Sequence, residues 1–330
     1  MKLLSVAIPS YNSEKYMEKC IKSLLVGGED VEILIINDGS KDGTAEIAEK
    51  WAKRFPTIIR AIHQENKGHG GAVNTGIEHA TGLYFKVVDS DDWVGKDAFL
   101  KVLDQLRELT EQGSSVDMMI SNFVYDKQGA SRKKIMHYRH ILPAGKIFGW
   151  EDVGAFPPGK YLLMHALIYR TQVLRDCGLK LPEHTFYVDN IFAFDPFPHV
   201  NSMYYLDVNM YHYFIGRDDQ SVNETVMIGR IDQQIRVNRW MTETYVTQNY
   251  SHKKIRKYMY RYLEIITTIS SIMLLVSGTE ENLAKKEELW RYLKEADGAF
   301  YRRLRFGLFG IMLNLPGRAG RWLAVSAYRI

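Results

Sequence analysis

Leu83-Tyr84-Phe85-Lys86-Val87-Val88-Asp89-Ser90-Asp91-Asp92 is the stretch on which the fold turns. Residues 83–88 read as a strand, which runs without a break into three aspartates among four residues. Carboxylates crowded at a strand end repel one another and lose hydration, so something must compensate. A hard divalent cation with oxygen ligands does so, and a diphosphate completes its shell. The plain alternative is a solvated acidic turn that caps the next helix.

Upstream the same rhythm repeats. Leu4-Ser5-Val6-Ala7-Ile8 is a short apolar strand stopped by Pro9, and Tyr16, Ile21, Leu24 and Leu25 mark one face of a following helix. Residues 31–36 form a second strand, ended by the turn formers Asn37-Asp38-Gly39-Ser40. Ile47, Ala48, Trp51, Ala52 and Phe55 recur at helical spacing, and residues 58–62 read as a third strand. Val73, Ile77 and Ala80 then mark a helix after a glycine-rich turn at Gly68, Gly70 and Gly71. Such alternation predicts an α/β sheet with right-handed crossovers, and ligands bind such sheets beyond the carboxyl ends of the strands. Four polar strand ends should therefore converge: Ser10-Tyr11-Asn12, Asn37-Asp38, Asn66-Lys67-Gly68 and Asp89-Ser90-Asp91-Asp92.

The 330 residues are 46% hydrophobic and 25% charged with a net charge of +4, a globular composition that does not point to nucleic acid. Cys20 and Cys177 are too few for a disulfide framework. No charged-then-apolar leader opens the chain, and the apolar run at 265–276 falls short of the roughly twenty residues that span a bilayer. The expectation is a cytoplasmic protein, peripheral at the inner face of the plasma membrane. Basic residues gather at 253–261 and 302–329, the latter with Phe306, Leu308, Phe309, Ile311 and Trp322, which suits an anionic membrane surface or a homo-oligomer contact. A soft boundary near residue 225 separates an α/β region, 1–225, with its polar strand ends in 1–100 and a mixed part over 101–225, from a helical C-terminal region, 226–330.

Asp38 fits a tight turn, and equally a carboxylate that accepts a hydrogen bond from a base N–H. The glycine-rich turn lets backbone approach closely and leaves helix N–H groups facing an anion, while His69 within it is a loop residue or a phosphate neighbour.

Ile8-Pro9-Ser10-Tyr11-Asn12, Asn37-Asp38-Gly39-Ser40-Lys41-Asp42-Gly43-Thr44, Asn66-Lys67-Gly68 with Asn74-Thr75-Gly76, and Val88-Asp89-Ser90-Asp91-Asp92 together resemble a family 2 glycosyltransferase. The resemblance is tight over residues 3–100 and fades by about 220. It implies a GT-A type, Rossmann-like nucleotide-binding sheet with helices on both faces, and an inverting transfer from a UDP-sugar to a carbohydrate or lipid-linked acceptor. Pro9, Tyr11 and Asn12 would line the nucleotide pocket, with Asp38 reading a uracil-type base. Asn66, Lys67, Gly68 and Asn74 would border the nucleotide. Asp89 and Ser90 would lie at the ribose or sugar, and Asp91 would bind Mg or Mn with Asp92 as a helper. Val73 stands where many members carry an arginine, so a donor contact is missing or supplied elsewhere.

The resemblance also implies an acidic pair whose second member is the catalytic base. Here the pair reads Val188-Asp189, which puts the base on Asp189, with Glu183 and His184 as alternatives. An ordinary Asp is a weak base near neutrality, so burial would have to raise its pKa. His212, in Tyr211-His212-Tyr213 before Arg217 and Ser221, would be a metal ligand or phosphate contact, and His165 would meet the acceptor. Two rivals remain. A sugar nucleotidylyltransferase needs an N-terminal glycine-rich loop with Arg or Lys, which Pro9-Ser10-Tyr11-Asn12 does not supply. A non-catalytic binding or scaffold protein on a transferase fold is the other, raised by the altered acidic pair.

Overall fold

The computed structural model describes residues 2–127, 129, 133–216 and 223–329. It divides into two compact units, Met1–Arg217 and Asp218–Ile330.

The first unit is a mixed sheet with helices on both sides. Its strands are β1 (Leu4–Ser10), β2 (Val31–Asp38), β3 (Ile59–Gln64), β4 (Tyr84–Val87), β5 (Trp93–Val94), β6 (Met118–Lys127), β7 (Lys134–Met136), β8 (Ile147–Phe148), β9 (Leu167–Arg170) and β10 (Met203–Ile215). They lie in the order β3-β2-β1-β4-β9-β6-β10-β5, with β7 on β6 and β8 on β10. β1 is parallel to both β2 and β4, and β2 is parallel to β3. The carboxyl ends of these four strands therefore point the same way. Every residue of β1 and β2 is buried, as expected of strands covered on both faces. β3, at the edge, mixes buried and exposed positions. The buried carboxylate of Glu32 in β2 is satisfied by Ser5 Oγ at 2.6 Å, the Thr81 amide at 2.9 Å and Arg60 at 3.1 Å.

Helices α1 (Met17–Leu24), α2 (Thr44–Arg54), α3 (Gly68–His79), α4 (Lys96–Glu111), α5 (Thr171–Asp176) and α6 (Asp189–Phe194) complete this unit. α3 differs from the sequence expectation: the glycine-rich stretch is its first turn and not a loop before it. The glycines are there for close packing. A Cβ on Gly70 would lie 2.5 Å from the Pro182 carbonyl oxygen, and one on Gly76 would lie 2.6 Å from the Cβ of Ala7 in β1.

The second unit is helical: α7 (Glu224–Gly229), α8 (Ile231–Thr247), α9 (Lys253–Ser277), α10 (Glu280–Ala296), α11 (Gly298–Arg305), α12 (Leu308–Leu313) and α13 (Gly317–Arg329). The apolar run read at 265–276 is part of α9, which is 25 residues long and ends on Gly278 in the left-handed region. By length and by a mean hydropathy of 1.3 it could cross a membrane, yet 67% of that window is buried against protein. It is the core helix of this unit, packed by α8, α10, α12 and α13. Phe306, Leu308, Ile311, Trp322, Leu323 and Tyr328 remain exposed on the last segments.

The contact of α3 with β1 leaves no room at Gly76. Gly76→Val should lower stability by about 1–3 kcal/mol or more, read as a fall in the thermal or urea midpoint. An unchanged midpoint would mean that the helix sits further from the sheet.

Candidate active site at the carboxyl end of the sheet

β1 ends at Ser10, and Tyr11, 52% exposed, stands open beyond it. Asn12 adopts a positive φ of 49° and ties the neighbouring strand end down, its Oδ1 accepting from the Lys41 amide at 2.9 Å and its amide donating to Ser40 Oγ at 3.0 Å. Pro9 is buried within β1, opposite Ile36, so it shapes the strand and does not line an open pocket.

Asp38, the last residue of β2, is almost wholly buried. Its Oδ1 accepts from Gln64 Nε2 at 2.7 Å and from the Lys67 amide at 2.8 Å, and Asn66 Nδ2 donates to its main-chain oxygen at 2.9 Å. The turn and the carboxylate reading hold together: neighbours fix Oδ1, and no partner engages Oδ2 among the described residues. Lys67 Nζ lies 3.9 Å from Glu183.

Four residues expected at the nucleotide or as alternative bases are placed differently. Asn74 Nδ2 donates to the Leu181 carbonyl at 2.8 Å, and its Oδ1 accepts from the Leu181 amide at 2.9 Å. It is therefore a clamp on the chain leading to Asp189. Gly68, at φ +73°, has its open side filled by backbone, since a Cβ there would lie 2.9 Å from His184 N. His184 takes part through that backbone, donating to the Lys67 carbonyl at 2.8 Å, while the side chains of His184 and Glu183 are exposed. His184 and Tyr187 both hold positive φ, at 48° and 66°. Each is a strained position for a residue with a side chain, stabilised by its surroundings.

The cluster after β4 is dense. His69 Nε2 lies 2.8 Å from Asp89 Oδ1. Burial raises the pKa of Asp89, but the charge and hydrogen bond of His69 outweigh it and hold the carboxyl below its ordinary range. Burial would depress His69, and Asp89, with Asp189 and Asp91 behind it, instead raises it. Ser90 pairs its hydroxyl with Ser13 Oγ at 2.8 Å. Asp91 is partly exposed at the mouth of the cluster. Asp92 is buried and holds β10 in place: it accepts from Tyr211 OH at 2.5 Å and from the Phe214 amide at 2.7 Å. Burial, then Asp91 and Asp89, push its pKa well up. It is a positioning residue beneath the site.

β10 supplies a correction on the histidines. Side chains alternate across a strand, so Tyr211 and Tyr213 share a face and His212 takes the other. His165 packs against both tyrosines, with ring centroids 4.8 and 4.4 Å apart. His212 instead meets Asp126 at 3.3 Å and stacks on Trp93 at 5.4 Å. The structure thus takes His212 away from the aspartates and brings His165 to them. Ligand atoms of Asp89, Asp92 and His165 lie within 4.8 Å of one another. His165 is buried and so is no acceptor contact. Neither of its ring nitrogens has a partner among the described residues, and burial lowers its pKa to about 4. A neutral imidazole with unengaged nitrogens beside two carboxylates offers nitrogen and oxygen ligands to a divalent cation. Arg217 and Ser221 lie outside the described residues.

Asp189 opens α6 and feels His69 and Asp89. Burial raises its pKa to about 6 against the opposing charge of His69. Burial first, and the Asp189 charge in lesser part, raise the hydroxyls of Tyr125, Tyr161 and Tyr213. Lys86, which sequence reasoning missed, is fully buried in β4. Its Nζ donates to the His165 and Leu167 carbonyls at 2.9 and 3.2 Å, and burial lowers it to about 7. A lysine inside Tyr84-Phe85-Lys86-Val87 was the available signal. With Asn74 as a clamp, Asn74→Ala should cut turnover about tenfold or more with nucleotide affinity nearly unchanged. A parallel loss of nucleotide affinity would restore Asn74 to the nucleotide.

A family profile described as Glycosyl transferase family 2 matches residues 5–155, from β1 through the strand ends that build this cluster. The putative glycosyltransferase EpsH of Bacillus subtilis (strain 168) is 30% identical over 232 residues, 64% of this chain, and the chain spans 60% of that relative's length. S. aureus TarS 1-349, solved in complex with UDP-GlcNAc, superposes with a TM-score of 0.68 at 18% identity over 100% of this chain and 92% of that one. The mannosyltransferase PcManGT from Pyrobaculum calidifontis, in complex with GDP-Man and Mn2+, superposes with a TM-score of 0.52 at 14% identity, covering 98% and 86% of the two chains. These two likenesses are of fold, and the sheet is of the GT-A type. The profile, the relative and the strand-end aspartates agree in giving residues 5–155 the likeness of a family 2 glycosyltransferase domain.

Proposed function

We propose that the first unit transfers one sugar, with inversion, from a UDP-sugar to an acceptor hydroxyl in the synthesis of a cell-surface polysaccharide or glycoconjugate. The observation that carries this reading is Asp189, a carboxyl held at about 6 beside the Asp89–His69 pair at the carboxyl end of the sheet. A base must lie near the working pH to take a proton efficiently, and burial supplies here what the missing acidic neighbour would have given. The donor nucleotide is inferred from the family likeness and from TarS, solved in complex with UDP-GlcNAc.

Each residue then has a task. Asp38 offers Oδ2 to a base N–H, and Tyr11 offers an exposed ring for stacking. Asp91 and Asp89 would hold the divalent cation. Ligand atoms of Asp89, Asp92 and His165 lie within 4.8 Å of one another, and both ring nitrogens of His165 are unengaged among the described residues. When bound, the cation offsets the charge of the diphosphate leaving group. Asp189 removes the acceptor hydroxyl proton as that oxygen attacks the anomeric carbon and the bond to UDP breaks, so no covalent sugar–enzyme intermediate forms. His69 keeps Asp89 ionised. A divalent cation is also in keeping with PcManGT, a distant fold neighbour solved with GDP-Man and Mn2+.

The exposed Phe306, Leu308, Ile311, Trp322, Leu323 and Tyr328, near Arg302, Arg303, Arg305, Arg318 and Arg321, place an apolar surface beside cations in the second unit. Our reading is contact with an anionic membrane. Sedimentation with phosphatidylglycerol vesicles should pull down the full chain and fail for Leu308→Ser/Trp322→Ser. Concentration-dependent dimerisation without vesicle binding would assign the surface to a second copy.

Asp189→Asn should cut UDP release in the presence of acceptor by about 10²–10⁴-fold and leave UDP binding intact. The base acts as a carboxylate, so kcat/KM should rise with pH to a plateau above about 6. Unchanged turnover in that variant would remove Asp189 from the mechanism. The anomeric configuration of the product, read by NMR, tests inversion.

A further inference from the structure

The second unit holds two clefts of opposite electrostatic character. The larger, about 410 Å³, is lined by Asp232, Arg236, Arg239, Glu243, Lys285 and Glu288 among others. Its charges answer one another: Arg239 meets Glu288 at 2.7 Å and Lys285 meets Asp232 at 2.8 Å. The smaller, about 300 Å³, is lined by Lys253, Arg256, Lys257 and Arg303 with Tyr245, Tyr260, Phe300 and Ala299, and contains no carboxylate.

The smaller cleft is built in layers. Phe300 stacks 5.1 Å from Tyr245 and 5.9 Å from Tyr260, which makes an aromatic floor. Arg303 sits 3.9 Å from the centroid of the Tyr260 ring and Arg256 5.8 Å from that of Tyr245, so the floor orients both guanidinium groups. None of the four cations has a carboxylate partner among the described residues. The nearby acids are committed elsewhere: Asp297 Oδ1 accepts the Ala299 and Phe300 amides, and Glu264 accepts from Tyr260 OH at 3.4 Å. The cleft also takes residues from the first turns of α9 and α11, where helix dipoles favour an anion.

We propose that this cleft binds a phosphate group, carried either by a saccharide or by a lipid headgroup. Oriented guanidinium groups match phosphate oxygens in pairs, and the aromatic floor gives an attached sugar ring a face to rest on. As the phosphate of an acceptor it deepens the transferase reading, on which only the identity of the carrier rests.

The test uses the full chain and three probes: inorganic phosphate, glucose 1-phosphate and phosphatidylglycerol vesicles. Arg256→Gln/Arg303→Gln should weaken the phosphate-bearing probe about tenfold or more, and Arg239→Gln, in the charge-paired cleft, should leave it unchanged. Binding of glucose 1-phosphate more tightly than inorganic phosphate, lost in the double variant, assigns a saccharide carrier. Vesicle binding alone, lost in the double variant, assigns a lipid. Absence of binding to all three probes, or equal loss in Arg239→Gln, overturns the proposal. Manganese-dependent UDP binding, measured on the same samples, reads the first unit. It separates failure of this cleft from failure of the transferase assignment, and an unchanged helical circular-dichroism melt shows that the second unit of each variant is folded.

Discussion

Like-charge crowding at the end of β4 is the constraint around which the first unit is built. Asp89, Asp91 and Asp92 follow one strand within four residues, and Asp189 arrives beside them from α6. The fold splits their titration: Asp89 is held down by His69, while Asp92 and Asp189 are pushed up by burial. Asp92 is held against β10 by Tyr211 and Phe214, whereas Asp189 opens α6 within reach of the charges of His69 and Asp89. Pushing neighbouring carboxyls apart in pKa is how one site obtains both an ion-holding group and a proton acceptor.

The sheet supplies the positions. Parallel β1, β2, β3 and β4 aim their carboxyl ends one way, so Tyr11, Asp38 and Asp89 arrive at one edge without long loops. Asp189 needs more, since about a hundred residues separate it from α3. Asn74 grips Leu181 through both amide atoms, Gly68 and Gly70 give up side chains to admit residues 182–184, and His184 and Tyr187 accept positive φ. Packing, hydrogen bonding and backbone strain in this segment all serve one carboxylate.

Much of this was legible in the sequence, and the reason is local. Strands buried on both faces read as apolar runs, and their ends read as turn formers, so β1, β2 and the positions of Asp38 and Asp89 followed directly. What failed depended on contacts between distant segments. Nothing near Asn74 says that its amide faces Leu181, and the glycines of α3 looked like a phosphate loop because their true neighbours, Pro182 and His184, lie more than a hundred residues on. That His165 and not His212 lies by the aspartates depends on the face of β10, which is fixed by its pairing with β6 and by the irregularities between Leu206 and Tyr211. A shift of one residue in that register would exchange the two faces.

The central claim is a nucleotide site completed by a cation at Asp89 and Asp91. Calorimetric titration of UDP into the protein, with and without manganese and repeated on Asp91→Ala, tests it most directly. The account predicts that manganese strengthens UDP binding about tenfold or more and that Asp91→Ala abolishes this gain. UDP binding indifferent to manganese, or absent under every metal condition, would contradict it.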